Sequence, residues 1–149
     1  MMVYFDMDGV LCDWKKSYEK HCTMPLEIFS KLPKEKRNEI KQSFINYDFF
    51  VHMEPITKGL ELFKAFSNGG VNVAVLSAYG DVQSEAVKKA KQAWVEKYLG
   101  KNTELLLVRK VHEKPSMMKE RFNKHILIDD RVDAINAWES AGGIGILFQ

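Results

Sequence analysis

Short apolar runs recur along this chain, separated by stretches in which apolar and polar residues alternate at helical spacing. Val3 to Asp6, Val71 to Ser77, Glu104 to Arg109, Ile126 to Asp129 and Ile144 to Phe148 are mostly rich in Val, Ile and Leu, with little polar interruption. Such runs predict strands buried on both faces, as in a parallel sheet. Between them, residues 57–68, 84–99 and 131–141 read as helices and stop at Gly69-Gly70, Gly100 and Gly142-Gly143, the residue type that most easily closes a helix. Strand followed by helix, repeated, predicts an α/β fold with a doubly wound parallel sheet. Its ligand crevice should lie beyond the carboxyl ends of the strands.

One segment breaks this rhythm. From Trp14 to Pro55 there is no convincing strand, only helix-like pieces punctuated by Pro25 and Pro33, including a charged stretch from Lys34 to Tyr47 with Ile40, Phe44 and Ile45 toward one side. The chain leaves the sheet after the first strand and returns before Thr57, so this insertion is expected to cover the mouth of the crevice. The predicted organisation is a core of residues 1–13 and 56–149 with a small helical cap at 14–55.

Composition narrows the reading. With 149 residues, 46% hydrophobic and 28% charged, the chain can bury a sizeable core and falls outside the disordered class. Its net charge of +2, with Lys and Arg dispersed among Asp and Glu, argues against a surface for duplex nucleic acid and leaves room for a small anionic ligand. Cys12 and Cys22 lack metal-site or CxxC spacing, and His21, His52, His112 and His125 lack ligand spacing; reduced thiols and a cytoplasmic location are expected, with no membrane association. Nothing in the sequence decides oligomeric state, and a homodimer stays open.

Chemistry-bearing residues gather at the strand ends. Asp6 and Asp8 follow the first run, Ser77 ends the second, Arg109 the third, and Asp129-Asp130 the fourth. In a strand extended through residue 8, Asp6 and Asp8 would share a face and repel, which a cation would relieve. Each residue also has a plainer role: Asp8-Gly9 as a turn, Asp130 as a helix cap, Arg109 as a partner of Asp133 or Glu113. Together the carboxylates make an oxygen-rich set suited to Mg2+, a hard cation that keeps exchangeable waters. That set points to phosphoryl chemistry. A lysine is wanted to offset charge there, and Lys91 falls within the apolar arc of Val87, Trp94, Val95 and Tyr98, whereas Lys88 and Lys89 look outward. Lys110 and Lys114 are the alternatives.

"DMDGVL" at 6–11, a strand ending in Ser77, a helix lysine and "LIDD" at 127–130 resemble, in order, the motifs of haloacid dehalogenase-like hydrolases. More narrowly, "DMDGVLCDW", "DFFVHMEP", "AWVEKYLG", "LLVRK" and "ILIDDR" resemble the 5'(3')-deoxyribonucleotidase family. The chain departs from animal members in a shorter cap and in having Ser77-Ala78-Tyr79 where they carry Thr-Ser-Pro. The resemblance implies a Mg2+-dependent phosphatase of nucleoside monophosphates. Asp6 would be the nucleophile forming an aspartyl-phosphate, and Asp8 the acid and then the base. Ser77 and Lys91 would hold the phosphoryl group. Asp6, Asp129, Asp130 and the carbonyl of Asp8 would surround the metal. Trp14, Phe49 and Phe50 would contact the base, and Ala78 and Arg109 the rest of the substrate. Other readings of the same residues are a phosphatase of another small ester or of nucleic-acid 3'-phosphates, and a phospho-acceptor receiver-like module without turnover.

Overall fold

The computed structural model describes residues 1–149. The apolar runs become β1 (Met2–Phe5), β2 (Asn72–Ala78), β3 (Leu105–Val108), β4 (His125–Asp129) and β5 (Ile144–Leu147), and the helices are α1 (Trp14–His21), α2 (Leu26–Lys31), α3 (Lys34–Phe44), α4 (Tyr47–Val51), α5 (Thr57–Asn68), α6 (Ser84–Tyr98) and α7 (Val132–Ser140). All strand pairs are parallel, in the order β3-β2-β1-β4-β5. The first strand is therefore central and fully buried, and the chain winds outward from it on both sides. No helix is long and apolar enough to cross a membrane.

Alternation along the strands sorts the core into two faces. Val3, Phe5, Val75 and Ile128 pack with Phe63 of α5 and with Val87, Ala90, Trp94 and Val95 of α6. Tyr4, Ala74, Leu76 and Leu127 pack on the other face with Ala134, Ile135 and Trp138 of α7. The expectation of burial on both faces fails for β5: Ile144 and Ile146 are each 47% exposed, because an edge strand is covered less completely than the central ones.

Helices α1 to α4 occupy the predicted insertion. The helix expected from Lys34 to Tyr47 ends at Phe44, and Asn46, in an extended conformation, caps a new one by accepting a hydrogen bond from Phe49 N at 2.9 Å. The insertion joins the core through a paired neck, in which Asp13 N donates to Glu54 O and Ile56 N to Leu11 O, both at 2.8 Å. Its aromatic interior (Tyr18, Phe29, Phe44, Phe49) is continuous with the α6 face of the core, and Trp94 Nε1 donates across to Met53 O at 2.8 Å. These helices are thus anchored to the sheet domain by shared apolar packing rather than by the neck alone.

Candidate active site

The strand-end residues converge, but not as one face. β1 stops at Phe5, and the following loop turns back on Met7, whose carbonyl accepts hydrogen bonds from Val10 N, Leu11 N and Cys12 N at 3.2, 2.9 and 3.0 Å. Asp6 follows the alternation of Tyr4 toward the α7 side, as Asp129 follows Leu127. The loop carries Asp8 toward α6 instead. The expected face shared by Asp6 and Asp8 is therefore replaced by two groups, because the extended conformation that would have aligned them ends three residues too early.

The first group lies around Asp6. Lys114, in a 3-10 helix over Val111–Met117, donates to Asp6 Oδ1 at 2.8 Å and to Asp129 Oδ2 at 2.7 Å. All three residues are buried. Burial works against the Lys114 ammonium, yet the charges of Asp6 and Asp129 prevail and raise its pKa. Burial raises the Asp6 carboxyl despite the opposing Lys114 charge. Asp130 completes the group; burial, then the charges of Asp6 and Asp129, push it up to about 8. Gly9, at φ +90°, is what admits Asp130 to the loop, since a Cβ there would collide with the Asp130 carboxylate.

The second group lies around Asp8. Lys91 donates to Asp8 Oδ2 at 2.9 Å, Ser77 Oγ at 2.6 Å and Ala78 O at 3.2 Å, and its ammonium stands 5.1 Å from the centre of the Phe50 ring. Lys91 is fully buried, as its place in the apolar arc of α6 predicts. Cys12 Sγ donates weakly to Asp8 Oδ1 at 3.5 Å, and burial followed by the Asp8 charge pushes that thiol well up, so it stays protonated. The structure thus brings Lys91 to Asp8 and Ser77, and gives the contact with Asp6 to Lys114. Lys114 was legible only as one of two alternatives, because a 3-10 turn offers no periodicity that would aim a side chain.

Asp6, Asp129 and Asp130 present ligand oxygens within 4.8 Å of one another. Three carboxylates face one ammonium there, the donors are all oxygen, and the Asp8 carbonyl accepts no hydrogen bond. The set fits a hard divalent cation such as Mg2+ and lacks the nitrogen or sulfur donors that softer ions favour.

A cleft of about 990 Å3 opens above both groups, lined by Asp8, Asp130, Trp14, Phe50, Ala78 and Arg109 among others. Trp14 and Phe50 thus line the cleft. Phe49 does not: it is fully buried, packed against Trp14, His21, Phe44 and Phe50. Adjacent residues on a helix point in different directions, and only one of the Phe49-Phe50 pair can face the cleft. Arg109 pairs with Asp81, at 2.6 Å, rather than with Asp133 or Glu113.

Over residues 1–149 the sequence matches the family described as 5' nucleotidase, deoxy (pyrimidine), cytosolic type C protein. A search of curated proteins found no match. Among solved structures, a haloacid dehalogenase-like family hydrolase from Streptococcus pneumoniae aligns with a TM-score of 0.65 at 11% identity, covering 99% of this chain and 84% of that one. A HAD family hydrolase from Deinococcus radiodurans with bound phosphate and sodium aligns with a TM-score of 0.62 at 14% identity, over 97% and 78% of the two chains. A HAD family enzyme from Bacteroides thetaiotaomicron, a mutant in complex with magnesium and inorganic phosphate, gives 0.57 at 15% identity, over 99% and 93%. These likenesses establish the haloacid dehalogenase-like fold.

Proposed function

Because the chain belongs to the 5' nucleotidase, deoxy (pyrimidine), cytosolic type C family and is thereby a phosphoric monoester hydrolase, we propose that it dephosphorylates nucleoside monophosphates, deoxyribonucleotides first among them, with Mg2+ and in the cytoplasm. The observation that carries this reading is the pair of groups at the strand ends, Asp6 with Lys114 and Asp129, and Asp8 with Lys91 and Ser77.

In this reading an Asp6 carboxylate oxygen attacks phosphorus as the ester P–O bond breaks, leaving an aspartyl-phosphate. With Lys91 turned to the phosphoryl oxygens, Asp8 enters the step in its protonated form and gives that proton to the departing nucleoside oxygen. It then takes a proton from the water that attacks the aspartyl-phosphate, so that inorganic phosphate leaves and Asp6 is restored. Lys114 holds Asp6 in position, while Lys91 and Ser77 donate to the phosphoryl oxygens. Asp6, Asp129, Asp130 and the Asp8 carbonyl would hold Mg2+, which when bound supplies positive charge against the incoming phosphate. Residues 14–55 serve as the cap, with Trp14 and Phe50 offering ring faces to a base.

A phosphate-release panel over nucleoside monophosphates and sugar phosphates, with Mg2+ and with chelator, tests the reading. Turnover confined to nucleotides and lost on chelation is expected. Preference for sugar phosphates would overturn the substrate assignment, and a phosphorylated protein that never turns over would favour the receiver-like module.

A further inference from the structure

Part of the lining of the cleft is basic. Lys34, Arg37 and Lys41 lie at spacings of three and four on α3, so they form one stripe along that helix, and all three line the cleft. Lys110 and Arg131 line the same cleft from the core side. The nearby carboxylates are already engaged: Asp81 binds Arg109 at 2.6 Å and lies 3.4 Å from Lys110 and 3.9 Å from Lys34, and Asp133 takes Arg131 at 2.6 Å. Neither Arg37 nor Lys41 has an ion-pair partner, and Arg37 Nε is shut off from solvent without any hydrogen bond. A buried donor left unmatched is costly, and a cleft-side position is where a ligand would match it.

Like charges crowd one another here. Burial, then the charges of Arg37 and Arg131, lower the Lys41 pKa, and contact with Lys110 lowers that of Lys34. A bound anion would relieve both. The cleft, at about 990 Å3, stands at the upper end of the range for small-molecule sites.

We infer that Arg37 and Lys41, flanked by Lys34, Lys110 and Arg131, bind a second phosphate of the substrate, remote from the ester that reacts at Asp6. The inference rests on the proposed nucleotidase reading and deepens it: the preferred nucleotide carries two phosphate groups. Two sources share that chemistry, a nucleoside 3',5'-bisphosphate and a single-stranded oligonucleotide ending in a 3'-phosphate.

The test is calorimetric binding to the Asp6→Asn protein, with and without Arg37→Ala/Lys41→Ala, using nucleoside 5'-monophosphate, nucleoside 3',5'-bisphosphate and a 3'-phosphorylated trinucleotide. The bisphosphate or the trinucleotide should bind at least about tenfold more tightly than the monophosphate, and the α3 double variant should remove that ratio. Whichever of the two binds more tightly identifies the source. An equal affinity for one and two phosphates, or a ratio that survives the double variant, overturns the inference. Circular dichroism checks that the variant is folded, and Arg37→Lys, which keeps the charge, should retain part of the ratio. Because binding is read without turnover, absence of nucleotide hydrolysis in the release panel would sink the catalytic reading while leaving this result separately interpretable.

Discussion

The floor of the cleft and its α3 wall are both crowded with charge, but they treat it in opposite ways. On the floor every buried charge has a partner at hydrogen-bond distance: Lys114 with Asp6 and Asp129, Lys91 with Asp8. On the wall, cations of one sign stand beside one another with few carboxylates to meet them. Water explains the difference. Away from water an unpaired ion costs several kcal/mol or more, so the buried floor must be self-complementary, whereas the wall cations are exposed or only half-buried and keep part of their hydration, with Arg37 Nε shut off from it. Paired charge is suited to fixing geometry, and unpaired charge to recruiting ligand.

Substitutions can break that contrast, beginning with the floor. Asp6→Asn should reduce phosphate release by at least about a thousandfold while the circular dichroism spectrum is retained. Release near the wild-type rate would remove Asp6 as the nucleophile. Lys91→Ala should lower kcat by about a hundredfold, since it strips donors from the phosphoryl oxygens. Lys114→Ala should act on stability as well as rate, losing about 3–5 kcal/mol in chelator by urea denaturation, because two buried carboxylates then face each other alone. Added Mg2+ should recover part of that loss.

Smaller effects sharpen the comparison. Trp14→Ala should raise KM about tenfold for a nucleotide and leave KM for a phosphate ester without a base nearly unchanged. For the metal-free protein, pH gives a signed expectation. Folding raises the carboxyls of Asp6 and Asp130, the latter to about 8, so between the unfolded value near 4 and that point the native state holds more protons than the unfolded one. Stability contributed by the protonated form is present at low pH and is lost as pH rises toward 8. The melting temperature in chelator should therefore fall across that window, and Mg2+ should flatten the slope by favouring the ionised carboxylates.

Much of this was legible from residue order alone. The strands, the glycine-stopped helices, the insertion after β1 and the inward placement of Lys91 follow from periodicity, which reports what faces a core. The partner of Asp6 does not follow from it. Which carboxylate Lys114 meets depends on where β1 ends and on a 3-10 turn, neither of which leaves a repeat in the sequence. The Phe49-Phe50 pair shows the same limit, because two neighbouring rings of one type carry no mark of which one faces outward. The α3 stripe is the opposite case: its spacing of three and four is readable, but spacing alone does not say that Lys34, Arg37 and Lys41 line a cleft.

The two strands of the neck, with Leu11 beside Ile56 and Asp13 beside Glu54, bring the start and finish of the insertion side by side. Such a junction lets the loops between α1 and α3 change length without moving the ends of the insertion, while Phe49, Phe50 and Met53 stay packed against α6. The outer wall of the cleft can therefore be reshaped while the part of the insertion that backs Lys91 is kept.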